Sequence, residues 1–290
     1  MPSAAQLPYF DALRKELTRF GYVEGRDLVY EMRNAEGKTE RLRALAQQLV
    51  DSRPDVIVVG GNPAVVAAQQ ATRSIPIIFG TAADPVGSGY VASLAKPGGN
   101  TTGVSNVFEE VVVKNLELLI VMVPKLSRVA VVRNPKNATH FQVSSIVDRA
   151  ASNVGVALLI LDAPTPEALD EVFAAAARER VLGLLVLADP VMNNQRGRIA
   201  QLAIKHRLVT ALPAREYVTD GGLMSYGPSY AENFRRAASQ VDRIFKGARP
   251  GEVPVELSNR FELTLNRKTA SALGLIFPQE LLLRADLVIE

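Results

Sequence analysis

Two stretches of the chain, DVIVVGGNPAVVAAQQATRSIPIIFGTAADP (Asp55–Pro85) and GLLVLADPVMNNQRGRIAQLAIKHRLVTALPAREY (Gly183–Tyr217), decide the fold class. Each consists of a short apolar run, a polar loop, an amphipathic helical run, a second apolar run and a second polar loop. Strands that are apolar along their whole length are buried on both faces, as in a parallel sheet covered by helices. The two stretches share this pattern and not their residues. They imply an α/β chain built as two doubly wound parallel-sheet lobes.

Working outward from the first stretch, Phe10, Leu13, Leu17 and Phe20 recur at helical spacing and predict a helix over about 8 to 21, ended by Gly21 and Gly25. LVYEM, Leu28 to Met32, reads as a strand and 39 to 51 as a helix. Asn62 reads as an N-cap with Pro63 at the first helical position. Around the second stretch, strands are expected from Arg128 and from Ala157, with helices near 139 to 153, after Thr165-Pro166, and near 193 to 207. Ser229 with Glu232 three residues later reads as a capping box for a helix over 230 to 246. ARPGEVP then reads as a linker, RFELTLN as a strand, and two short helices complete the chain. The second series opens on a strand while the first opens on a helix, so a further strand is expected before Met1.

Composition narrows the functional classes. The 290 residues carry 33 Lys and Arg against 30 Asp and Glu, and a net charge of +3 is too small for a nucleic-acid footprint. No apolar run approaches the roughly 18 residues of a membrane span. The absence of cysteine excludes thiol nucleophiles, cysteine-ligated zinc, iron–sulfur clusters and disulfides. No basic-then-apolar leader precedes Gln6 to mark export.

Catalytic motifs fail on context. GSGYVA, Gly87 to Ala92, matches a dinucleotide fingerprint with Glu109 about 20 residues on, but that motif needs its first glycine at a strand end, and an Asp84-Pro85 turn intervenes. GKT at Gly37 to Thr39 lacks the upstream glycine of a P-loop, the position being Met32. His140 and His206 have no serine in a nucleophile-elbow setting and no metal-spaced partner, and His206 reads as a helix C-terminal cation. No catalytic residue, cofactor or metal is therefore assigned. What remains is a set of polar loops at the carboxyl ends of strands, where open parallel sheets bind ligands. These are Gly60-Gly61-Asn62, Thr81 to Asp84, Asn134 to Thr139, Asp189 to Asn194, and Arg215 to Tyr217. Drawn from two lobes, they outline a cleft.

The run FGYVEGRDLVYEMRNAEGKTERLRALAQQLV (Phe20–Val50), the stretch from Asp55 to Ser105, RVAVVRNP (Arg128–Pro135) and LTLNRKTASALGLIFPQELLLRADLVIE (Leu263–Glu290) together resemble the ABC transporter substrate-binding proteins of the tryptophan/tyrosine-binding-like family. DPVGSGYVASLAKPGGNTTG (Asp84–Gly103) is the most specific part. The resemblance implies a type I periplasmic-binding-protein fold, two lobes joined by three crossovers that close on a small molecule and present it to a membrane permease. It places the crossovers near 103 to 106, 221 to 226 and 249 to 253. The lobes are then 1–104 plus 225–250, and 105–224 plus 251–290. It also implies a monomer outside the cytoplasm, made with an export signal that this sequence does not show.

If the ligand is an amino acid, as the family suggests, its carboxylate needs donors and its ammonium an acceptor. The expected ligand-binding residues are Asn62, Pro63, Thr81, Ala82 and Asp84 in the first lobe, and Asn134, Asp189 and Arg215 in the second, with Tyr226 as an aromatic wall. The first amides of the helix at Asn62-Pro63 and the Thr81 hydroxyl are the expected donors. Asp189 is the expected partner of the ammonium, or alternatively the cap of the following helix. Two rival readings of the same architecture are a cytosolic two-lobed enzyme acting on a nucleotide or sugar, and a sensory ligand-binding domain.

Overall fold

The structure, a computed structural model, describes residues 7–290. The strand expected before Met1 lies outside them. In chain order, α1 (Leu7–Arg19), α2 (Leu42–Asp51), β1 (Ile57–Gly60), α3 (Asn62–Ala71), β2 (Ile77–Ala83) and β3 (Thr101–Asn106) come first. There follow α4 (Phe108–Met122), β4 (Arg128–Arg133), α5 (Thr139–Asn153), β5 (Ala157–Asp162), α6 (Ala168–Arg178), β6 (Gly183–Val186), α7 (Pro190–Asn193), α8 (Arg196–Lys205), β7 (Val209–Leu212), α9 (Arg215–Thr219) and β8 (Met224–Pro228). The chain ends with α10 (Tyr230–Phe245), β9 (Glu256–Leu257), β10 (Phe261–Asn266), α11 (Arg267–Leu273), α12 (Gln279–Arg284) and β11 (Leu287–Ile289).

These elements form two units, one of residues up to Val107 with Ser229–Arg260, the other of Phe108–Pro228 with Phe261–Glu290. The chain thus passes between units three times. The passages lie beyond the positions expected from the sequence, most of all the third. Residues 251 to 260 stay with the first unit because β9 pairs with β3, through Val104 opposite Glu256 and Ser105 opposite Leu257.

In the first unit the described strands run in the order β1-β2-β3-β9, all parallel. β3 carries Thr, Ser and Gly, yet all six residues are buried. Its hydroxyls are satisfied internally, Thr102 Oγ1 donating to the Val253 carbonyl at 2.7 Å and Ser105 Oγ to that of Ala82 at 3.3 Å. One face of the sheet is covered by α1 and α10, whose Leu13, Leu17, Phe234, Ala237 and Val241 share a core with Ile78 and Val104. Phe10 meets Phe234 edge-on, their ring centres 5.2 Å apart. Each fully buried Leu or Phe of such a core adds about 1.5–3 kcal/mol. Leu28 to Met32 is not a strand, contrary to the sequence expectation. Only an isolated bridge joins Glu24 to Leu28, and Val29 is 80% exposed, because among the described residues no neighbouring strand supplies a ladder.

The second unit has the order β11-β10-β8-β7-β6-β4-β5, parallel except for the β10–β8 pair. Val129, Val131, Leu185 and Leu265 of the sheet pack with Leu116 and Leu119 of α4 and with Val143 and Val147 of α5. From β4 the chain moves outward to β5, then returns to the other side of β4 and proceeds through β6, β7 and β8. The boundary between β4 and β6 is therefore this sheet's topological switch point.

Candidate functional site

At the carboxyl edge of the first unit, β2 contains an extra residue relative to both neighbours. Against β1, Val59 pairs Phe79 while Gly60 pairs Thr81; against β3, Phe79 pairs Gly103 while Ala82 pairs Ser105. This bulge at Gly80-Thr81 re-aims the strand end. Gly80 is required by a close approach, since a Cβ there would lie 2.7 Å from the ring of Phe234. Thr81 remains partly exposed, and its Oγ1 accepts a hydrogen bond from Asn106 Nδ2.

The other residues expected here have internal duties. Asn62 does not cap α3; Gly61 holds that position with φ of 86°. The Asn62 side chain instead clasps the main chain of Ala83, donating to its carbonyl at 3.1 Å and accepting from its N–H at 2.8 Å. The first amides of α3 are not free either, because Ala64 and Val65 both donate to the Gly61 carbonyl at 3.1 and 3.2 Å, and Pro63 has no N–H. The Ala82 side chain is buried in the core with Val65 and Phe79. Asp84 closes a turn, accepting from the Gly87 N–H at 2.9 Å. Residues 84 to 98 contain no helix, which disposes of the nucleotide fingerprint at Gly87. Of the five, Thr81 is partly exposed and Asp84 exposed, and both carry side-chain oxygens.

At the switch point of the second unit, Asn134 and Asp189 come together. Asp189 is 2% exposed. Its Oδ1 accepts from Asn134 Nδ2 at 3.1 Å and from the Val191 N–H at 2.9 Å, and its Oδ2 accepts from Asn137 Nδ2 at 3.0 Å. The carboxylate caps α7 and ties the β4 and β6 loops, and none of the ion pairs among the described residues involves it. His140, also buried, packs beneath this loop. Its Nδ1 accepts from the Asn134 N–H at 2.9 Å, so the ring proton sits on Nε2, 3.1 Å from the Ala188 carbonyl. Burial lowers the imidazole pKa, with the Asp189 charge and the Ala188 carbonyl opposing.

Arg215 opens α9 half-exposed, 3.8 Å from Glu262. Tyr226 stacks on Phe261 with centres 5.9 Å apart and planes at 15°, and Asn115 of α4 grips its main chain at 2.7 and 3.0 Å. Two further sequence expectations differ: Ser229 stands at the N-cap of α10 without a side-chain cap bond, Glu232 pairing with Arg235 instead, and Glu167 in place of Thr165 precedes α6.

Sequence reasoning missed Asn106, Asn137, Asn233 and Ser258. Asn137 lies within a loop that was singled out, in NPKNAT; the other three carry no local signal. Among the described residues no cluster of three or more His, Asp or Glu is arranged to hold a metal, and no helix is long and apolar enough to cross a membrane.

A structure of a conserved domain protein from Vibrio cholerae is 28% identical and superposes with a TM-score of 0.91, covering 98% of this chain and 95% of that one. The ABC domain in complex with L-Trp from Streptococcus pneumonia is 23% identical with a TM-score of 0.88, over 99% and 96% of the two chains. A tyrosine-binding protein of Clostridioides difficile (strain R20291) is 26% identical over 262 residues, 90% of this chain and 75% of that protein. The fold is that of the type I periplasmic binding proteins. Residues 4–289, nearly the whole chain, match the family described as ABC transporter substrate binding protein, and with two α/β units and three passages between them, this chain belongs to that family.

Proposed function

We propose that the protein is the receptor of an uptake transporter, working outside the cytoplasmic membrane, and that its ligand is an amino acid with an aromatic side chain. The observation that carries the amino-acid reading is Asp189, a buried carboxylate at a topological switch point that is held by three N–H donors and has no cationic side chain paired with it among the described residues. Burying a carboxylate without a counter-ion is costly. Its Oδ2 accepts a single internal hydrogen bond and keeps a lone pair for a ligand ammonium. Thr81, partly exposed at the carboxyl edge of the first unit, replaces the α3 amides as the donor offered by that edge. The aromatic part of the reading rests on the relatives, one named for tyrosine and one solved with L-Trp.

The test is a thermal-shift panel of L-tyrosine, L-tryptophan, L-leucine, tyramine, a nucleoside and a pentose. A ligand present at about 100 times its Kd adds ~2.7 kcal/mol of stability. L-Tyrosine or L-tryptophan is expected to raise the melting temperature, tyramine much less. A shift with the nucleoside or pentose and none with the amino acids would overturn the proposal.

A further inference from the structure

Three polar side chains from distant parts of the sequence meet behind Thr81. Asn106 ends β3, Asn233 lies in the first turn of α10, and Ser258 follows β9. All three are buried. Asn106 Nδ2 donates to Thr81 Oγ1, while Asn106 Oδ1 accepts from Asn233 Nδ2 at 2.9 Å and from Ser258 Oγ at 3.0 Å. Ser258 Oγ also lies 3.0 Å from Asn233 Oδ1, so its single proton is shared between two amide oxygens.

The direction of this chain of bonds matters. Reversing both amides would aim two N–H groups at Ser258 Oγ and leave the Ser258 proton, in a buried position, without an acceptor. Reversing Asn106 alone would set N–H against N–H, and reversing Asn233 alone would set oxygen against oxygen. In the arrangement described, the Ser258 proton has acceptors, the hydroxyl proton left over is that of Thr81, which is partly exposed, and buried hydroxyls are satisfied before exposed ones. With its oxygen already accepting from Asn106, the Thr81 hydroxyl is left to donate outward.

We infer that Asn106, held by Asn233 and Ser258, is a positioning residue that makes Thr81 an obligate donor, so that the first unit's edge selects a ligand bearing a carboxylate or comparable acceptor. The inference deepens the amino-acid reading and rests on it for the identity of the ligand, but the bond polarity belongs to the protein alone. Gly80 and Phe234 fit the same scheme: Phe234 packs against Gly80 while its neighbour Asn233 reaches Asn106, so α10 fixes both the bulge and the polarity of its hydroxyl.

Two measurements test it. In isotopically labelled, ligand-free protein, the side-chain amide protons of Asn106 are expected to show stronger nuclear Overhauser contacts to the Thr81 methyl than to the Ser258 β-protons; the reverse pattern overturns the inference. Affinities for L-tyrosine, L-tryptophan, tyramine and tryptamine are then measured by calorimetry on the full chain and its variants. Thr81→Val should weaken amino-acid binding about tenfold or more, as expected on losing a hydrogen bond to a charged group, with Thr81→Ser restoring most of it. Asn106→Asp, whose carboxylate would accept the Thr81 proton, should cost a similar factor, yet less than about twofold when Thr81 is already Val, because the two act through one bond. Additive losses, or unchanged binding in the well-folded Thr81→Val variant, would defeat the assignment. A parent protein that binds none of the four probes sinks the amino-acid reading, and the donor assignment is then decided by the Overhauser pattern alone.

Discussion

The imidazole of His140 accepts the main-chain N–H of Asn134 at 2.9 Å, which fixes the neutral ring in one tautomer beneath the loop that carries Asp189. Burial holds its pKa below the ordinary value of 6.5. The unfolded chain therefore takes up a proton at a pH where the native chain does not, and the stability contributed by His140 is complete above about pH 6.5 and lost as pH falls toward the native value. In urea titrations between pH 7.5 and 5, the parent should lose more stability than His140→Gln; parallel losses would mean the ring is not buried neutral.

Asp189→Ala removes the acceptor of three N–H groups at once. Orphaned buried donors and a lost cap should together lower the unfolding free energy by about 2–4 kcal/mol. If the carboxylate also pairs with a ligand ammonium, affinity for the amino acid identified by the panel falls at least tenfold. A variant that stays folded and binds as tightly as the parent would reduce Asp189 to a cap.

Gly80→Ala places a methyl group 2.7 Å from the Phe234 ring. Overpacking of this kind costs about 1–3 kcal/mol. Phe234→Leu in the Gly80→Ala background should recover part of that loss, and a double-mutant cycle on melting data checks it.

Glu216 is half-tucked into the start of α9, its Oε2 buried without a hydrogen-bond partner, and desolvation raises its pKa despite the charge of Arg196. A raised carboxyl pKa means the native state holds the proton more tightly than the unfolded state. Its cost is absent below the ordinary value near 4.5 and grows as pH rises through the native one. Glu216→Gln is expected to raise the melting temperature at pH 8 and to leave it unchanged or lower at pH 4; an equal effect at both would assign the gain to packing.

The architecture was legible because Ile57–Val59, Val129–Val132 and Leu184–Val186 are apolar without interruption, as parallel strands covered on both faces are, and each is short and followed by a polar loop and an amphipathic helix. β3 was not seen as a strand, since of its six residues only Val104 is large and apolar, and the burial of Thr101, Thr102 and Ser105 depends on acceptors far along the chain. LVYEM misled in the opposite direction: alternation there is real, but a strand exists only with a neighbour. In the strand-end loops, the partners of individual side chains did not show in the sequence. Asn62 looks like a cap until Ala83, 21 residues on, takes both ends of its amide. Asn106 and Ser258 meet across 152 residues, a separation from which spacing rules extract nothing.

The interleaving of the two units along the chain sets an order on their birth. As the polypeptide leaves the ribosome, the first unit lacks α10 and β9 until residue 260 has been made, and with them the helix that covers its aromatic core and the side chains that orient Thr81. The second unit begins later and ends last, because β8 waits for β10 to fill the sheet beside it. Neither can therefore be isolated by cutting the chain once, and a nascent fragment stopped at Pro228 carries two incomplete sheets with exposed apolar faces, the kind of species that aggregates or engages chaperones. A chain interleaved in this way completes its two units only when nearly all of it exists.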